Sequence, residues 1–360
     1  MLRVFNDLYE RYFSEEEAII FTLLLLVGAV VMFTMGGVIA PLLWSIVITF
    51  LLQGVVSLLR KFNVPDTAAV YLVYFLFVGA FSLIIFIFLP FTWGRLTLFV
   101  NELPSMLGQL RSLLLVLPEN YPELFSENQV QTWLSNMEGE LGQLGQTALS
   151  YSVTSITRLV TWMVYTILVP ITVFFMLKDT DKLLNWLESW LPEKRPIMAQ
   201  IWHEMNDQLA NYIRGKALEM LIVGGVSYAM FIFFDLNYPV LLSVLIAFSV
   251  IVPYVGAAVA GIPLLLVGFF EWGFTADLYQ VLIAYAILQL IDGNILVPWI
   301  FSETVNLHPV ATITAVLVFG GLWGFWGVFF AIPLATFIKA IIRAWPKREL
   351  GNFKDSLESE

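Results

Sequence analysis

The stretch Thr67–Leu89, TAAVYLVYFLFVGAFSLIIFIFL, carries no charged residue in its 23 positions. A helix of ~20 predominantly apolar residues crosses the ~30 Å hydrocarbon core of a bilayer, so this segment reads as a membrane span. Working outward, Ala18–Phe33, Val38–Leu52, Val153–Leu177, Ala217–Phe234 and Leu278–Ile300 have the same character. Two more apolar blocks, Pro239–Phe270 and Pro309–Ile342, run past 30 residues each. The chain is expected to be an all-α polytopic membrane protein.

Composition agrees. Of the 360 residues 59% are hydrophobic and 13% charged, against ~45–50% and ~25% in a soluble domain. The absence of cysteine excludes disulfides and thiolate chemistry, and a net charge of −10 argues against a nucleic-acid partner. The N-terminus opens on an acidic stretch ending in Glu15-Glu16-Glu17, which is unlike a signal peptide.

Basic residues then orient the chain. With a cytoplasmic N-terminus, 15 of the 18 Lys and Arg residues fall inside, including Arg60, Lys61, Lys178, Lys194, Arg214 and Arg343. Both termini are therefore expected in the cytoplasm.

The expected organisation is 1–90 with three spans, 91–152 as an external insertion, 153–177 as a fourth span and 178–216 as cytoplasmic amphipathic helices. A membrane core at 217–342 and a tail at 343–360 complete it. In the insertion, Val100, Leu103, Leu107, Leu110, Leu114 and Leu117 follow heptad steps, as do Val130, Leu134, Met137, Leu141, Leu144 and Ala148. Such seams predict a helical hairpin, packing between subunits, or helices lying on the membrane surface. Self-association into a closed ring is expected, a pentamer being one such ring. His203 beside Glu204 and Asp207 reads as a solvated charged face, and neither metal nor cofactor is expected.

The overlong blocks align at an offset of 70. Pro239 meets Pro309, and Ile262-Pro263-Leu264 meets Ile332-Pro333-Leu334. Between these landmarks lie helix-breaking centres, Pro253-Tyr-Val-Gly256 in the first and Gly320-Gly321-Leu-Trp-Gly324-Phe-Trp-Gly327 in the second. A continuous 32-residue helix would be ~48 Å long, so each block either tilts strongly, crosses twice or turns back. Two re-entrant hairpins would form an inverted repeat of the kind that carries sites in secondary transporters.

Charge at lipid depth is costly and marks function. Asp292 lies in Leu288-Gln289-Leu-Ile-Asp292-Gly293-Asn294-Ile-Leu-Val-Pro298, between the two repeats. Gly293 and Pro298 weaken that helix, and a carboxylate there can take a proton, a cation or a solute hydroxyl. The expected pathway comprises Asp292, Gly293, Asn294, Gln289, Pro253, Gly256, Gly320, Gly321, Gly324 and Gly327. Glu219, Glu303, Asn306 and His308 are candidates for gating or coupling. Enzymatic readings lack their parts: there is no phosphate loop, no His-Glu-x-x-His and no Cys/His nucleophile pair.

Five motifs carry a resemblance: Asn211-Tyr-Ile-Arg-Gly-Lys216, Ile251-Val-Pro-Tyr-Val-Gly256, Asp292-Gly-Asn-Ile-Leu-Val-Pro298, Val305-Asn-Leu-His-Pro309 and Phe319–Leu334. Together they resemble the PerM-type permeases of the autoinducer-2 exporter family of bacterial inner-membrane proteins. That resemblance implies about eight transmembrane segments and transport of a small polar solute, or of protons and sodium (lithium) ions in exchange. An envelope scaffold acting through the external helices is the alternative of a different class.

Overall fold

The computed structural model describes residues 16–120, 156–253, 255–301 and 307–345, with a few helical positions between 126 and 139. The described residues are helical, and no strand occurs among them. The helices are α1 (Glu16–Lys61), α2 (Asp66–Leu83), α3 (Leu89–Asn120), α4 (Ile156–Lys178) and α5 (Thr180–Glu188). They continue with α6 (Pro196–Phe233), α7 (Pro239–Ser249), α8 (Val255–Trp272) and α9 (Ala276–Ile291), then α10 (Val297–Phe301), α11 (Pro309–Phe329) and α12 (Ala331–Ala344). Among the described residues, 6 segments are long and apolar enough to cross a bilayer, or 7 with the bent pair α4–α5. The count of eight implied by the family resemblance is not reached this way. Phe75, Leu221 and Phe233 are among many large apolar side chains left exposed. Helices apolar on all sides need lipid around them.

The chain divides into two compact units, with the boundary on α6 after Ala217. The first gathers α1, the end of α4, α5, the first part of α6, α11 and α12; the second gathers most of α2, α3, the rest of α6, α7, α8 and α9.

In the first unit, α1 is not a straight rod. The Met198 amide donates to Glu17 Oε1 (2.6 Å) and Arg214 Nε donates to the Phe50 carbonyl (3.1 Å). On a straight helix Glu17 and Phe50 would lie ~50 Å apart, whereas Met198 and Arg214 are separated by only ~24 Å of α6. The bend falls at Met35, the one residue of α1 with non-helical dihedrals (φ −119°, ψ 17°), beside Gly36 and Gly37. The gap expected between Ala18–Phe33 and Val38–Leu52 is thus a kink rather than a loop.

Glu17 is buried at 5% exposure and sits on the first turn of α6. A carboxylate at that end satisfies an orphan amide and complements the helix dipole. Glu17→Ala is expected to cost about 1–2 kcal/mol. The check is amide exchange at Ile197–Ala199, which should speed up while the rest of α6 is unchanged.

In the second unit, α2 continues through a π turn at Ile84–Phe88 straight into α3, past Pro90, Pro104 and Pro118. The π turn lies just before Pro90, where the ring removes a backbone donor. Phe99 and Met106 of α3 join Val223 and Phe231 of α6, Leu242 and Ile246 of α7, Leu264 and Val267 of α8, and Val281 and Tyr285 of α9 in one core. Tyr238, in the turn before α7, has φ 58° and stacks edge-on against Phe99 at 5.6 Å. Partial burial and a hydrogen bond with Glu102 push its phenol up to about 12, so it stays protonated. Tyr238→Phe is expected to lower stability by about 1 kcal/mol, read as a lower melting temperature in detergent.

Candidate functional site

Both overlong blocks fold back on themselves. In the second unit α7 ends at Ser249 and α8 begins at Val255, and α8 packs on α7. A Cβ built on Gly256 would lie 1.8 Å from the Ser249 carbonyl oxygen. In the first unit the turn falls within α11, at Gly324 (φ 59°, ψ −134°). There a Cβ on Gly327 would lie 1.8 Å from the Phe319 carbonyl oxygen. Residues eight apart in a straight helix are separated by ~12 Å, so the chain has reversed. What remains of α11 before Gly324 spans ~22 Å, short of the hydrocarbon thickness.

The 70-residue offset relates the two tips closely. Ser249 corresponds to Phe319, and Gly256 falls one residue short of Gly327. Pro239 and Pro309 each open the outgoing helix, and Pro263 and Pro333 each lie in the returning one. Only glycine permits so close an approach of backbone to backbone. Gly320 is also tight, its Cβ position 2.7 Å from Val328, whereas Gly321 faces open space.

Helix register sets two deep carboxylates near the height of the first tip. Along the antiparallel pair α8–α9, Gly268 faces Leu278 and Gly261 faces Tyr285. Tyr285 also donates to the Ala257 carbonyl at 2.7 Å. Asp292 lies two turns further on, on the same buried stripe as Leu278, Val281, Tyr285 and Leu288. This register puts it level with the turn that holds Pro253. On the other flank, Gly224 of α6 meets Ala247 of α7. Five residues before it, Glu219 comes level with the same turn. Asp292 and Glu219 are 8% and 2% exposed.

Asp292 opens a π turn, Asp292–Leu296, which joins α9 to α10. The turn is the local outcome of Gly293 and Pro298, and such turns recur at functional sites. Gln289 lies one turn before, and its buried amide nitrogen makes no well-formed hydrogen bond despite the nearby Tyr285 hydroxyl. Asn294 points away: it is exposed, and its amide returns to the Leu290 carbonyl at 2.8 Å.

His308 caps α11, its Nδ1 accepting from the Val310 amide at 3.3 Å. Glu303 and Asn306 lie outside the described residues. Glu204 is engaged by Arg343 at 3.5 Å, and among the described residues no group of three or more His, Asp and Glu forms a metal cluster. In the first unit the second tip is bordered by rings. Trp326 meets Trp44 at 4.8 Å and stacks on Phe330 at 5.8 Å, while the Trp323 indole nitrogen is buried without a hydrogen bond. Sequence reasoning missed the aromatic role of Trp44, although its distance from aromatic motif residues in the chain left no signal.

A helical membrane protein with two glycine-tipped hairpins and a buried carboxylate at a helix break belongs to the class of multi-pass membrane transporters. The model of the AI-2E family transporter matches residues 19–347. The chain is 42% identical over 350 residues to PerM of Escherichia coli (strain K12), which carries the provisional name of a permease, covering 97% of this chain and 99% of the relative. It is 28% identical over 305 residues to the transport protein, so named provisionally, YueF of Bacillus subtilis (strain 168), covering 83% and 82%. With the AI-2 transport protein TqsA of Escherichia coli (strain K12) it shares 24% over 308 residues, 84% of each. The chain belongs to the AI-2E transporter family.

Proposed function

We propose that the protein is an inner-membrane permease that moves a small polar solute outward, coupled to a proton or ion gradient. Asp292 carries this reading: a carboxylate buried where an apolar helix breaks, level with the tip of a re-entrant hairpin. Its protonated and ionised forms differ in what they bind, which is what coupling to a gradient requires. Glu219, on the opposite flank of the same hairpin, is the coupling partner, and Gln289 supplies a donor to the solute. TqsA is named for AI-2 transport, and a small polar solute with a hydroxyl fits an acceptor carboxylate beside an amide donor.

Sodium (lithium) exchange for protons is the second reading, favoured by two buried carboxylates, Asp292 and Glu219, at the height of one hairpin tip. Substrate-screened flux in proteoliposomes with an imposed proton gradient separates the two. Solute movement that collapses with the gradient supports the first. Sodium-driven proton release without solute supports the second, and flux indifferent to any gradient overturns both in favour of a passive channel.

The proposed topology has its own check, since the chain contains no cysteine. Lys194→Cys is expected to react with an impermeant thiol reagent only after the cytoplasmic face is opened. Labelling in intact cells would reverse the orientation.

A further inference from the structure

We propose that α5 is an interfacial elbow that lies in the headgroup–acyl boundary of the bilayer, held there by its apolar face rather than by charge. The apolar stretch Trp162–Lys178 measures ~25 Å along its helix, and α5 leaves it at 82°. A helix that turns by nearly a right angle at the end of a span runs parallel to the membrane plane. The hinge is fixed locally. Lys182 Nζ donates to Asp179 Oδ1 at 2.8 Å, and the Asp179 amide returns to the Phe175 carbonyl.

Leu183, Trp186, Leu187 and Trp190 follow at i, i+3, i+4 and i+7, and all four are exposed, at 39%, 58%, 51% and 75%. The two tryptophans meet edge-on at 6.0 Å. No described residue covers this face, and Ile171 and Phe175, in the last two turns of α4 before the hinge, are exposed as well. The occupant is therefore lipid, and Trp side chains suit that depth, with an apolar body and a polar tip.

Charge does not drive the contact. Residues 178–195 hold four basic groups (Lys178, Lys182, Lys194, Arg195) and four acidic ones (Asp179, Asp181, Glu188, Glu193). Arg195 is moreover bound to Glu188 at 2.6 Å. A neutral elbow gains nothing from anionic headgroups, unlike the polybasic helices that do.

Two single-cysteine proteins test this, Leu187→Cys on the apolar face and Asn185→Cys opposite, each labelled with an environment-sensitive fluorophore and reconstituted in full-length form. Spin-labelled lipid should quench the label at 187 about threefold more than the label at 185, and aqueous iodide should do the reverse. That contrast should be the same in vesicles of phosphatidylcholine alone and with phosphatidylglycerol added. Adding Trp186→Ser and Trp190→Ser should abolish the lipid quenching at 187. Equal quenching at both positions, or iodide access at 187, would overturn the proposal in favour of a protein-docking face. Lipid quenching that depends on phosphatidylglycerol would overturn its apolar basis.

Discussion

Asp292→Asn abolishes gradient-driven flux while leaving the protein folded: this is the expected result with the largest effect on activity. The substitution keeps shape and removes the ionisable group, so the π turn and the buried stripe of α9 survive. Loss of a proton-handling side chain typically costs at least about 100-fold in rate, and a fall of that size is expected in proteoliposomes, with the residual flux insensitive to pH. Glu219→Gln should follow it in direction. The control lies two residues along: Asn294→Ala removes an exposed side chain that only returns to its own backbone and should transport at the wild-type rate. If Asp292→Asn keeps both rate and pH dependence, the carboxylate holds helices together and does nothing else.

The largest effect on stability is expected at the hairpin tips. Gly256→Ala and Gly327→Ala each place a methyl 1.8 Å from a carbonyl oxygen. The obstacle is backbone, so no side chain can yield and the reversal itself must open. A loss of more than about 4 kcal/mol is expected, in the range reserved for defects of this kind. Gly324→Ala meets no neighbour but must hold φ 59°, a cost of about 1–3 kcal/mol. Gly321→Ala meets nothing and has no such strain, so its melting curve in detergent should overlie that of the parent. The order 327, 324, 321 is the test, and equal effects at all three would mean that the chain does not reverse there.

Much of this was legible in the sequence because apolar runs without charge leave few alternatives. The repeat was legible too, since helix-breaking residues recur at a fixed offset between prolines, and the structure turns each break into a reversal. Asp292 stood out for the same reason: a lone carboxylate in an apolar run is conspicuous. Its equivalence of depth with Glu219 was not visible, because that depends on α7 folding back along α6 and on α9 running back along α8. Glu17 was less visible still, as its partner Met198 lies 181 residues away. Conversely, Pro90 and Pro104 look like helix stops, yet α2 and α3 run on through both, and α3 ends at Asn120, just past Pro118. Tertiary support along Phe99 and Met106 outweighs the lost donors at the first two. Of the seam from Val130 onward, Val130 and Leu134 are described and both are buried, and the rest falls outside the described residues.

That uninterrupted helix sets a length scale. Met106 is the last described residue of α3 in the core, and the helix continues to Asn120, about 21 Å further. Electrostatic influence decays over ~8 Å in physiological salt. The end of α3 thus lies more than two such lengths along the helix from the last described core contact that anchors it.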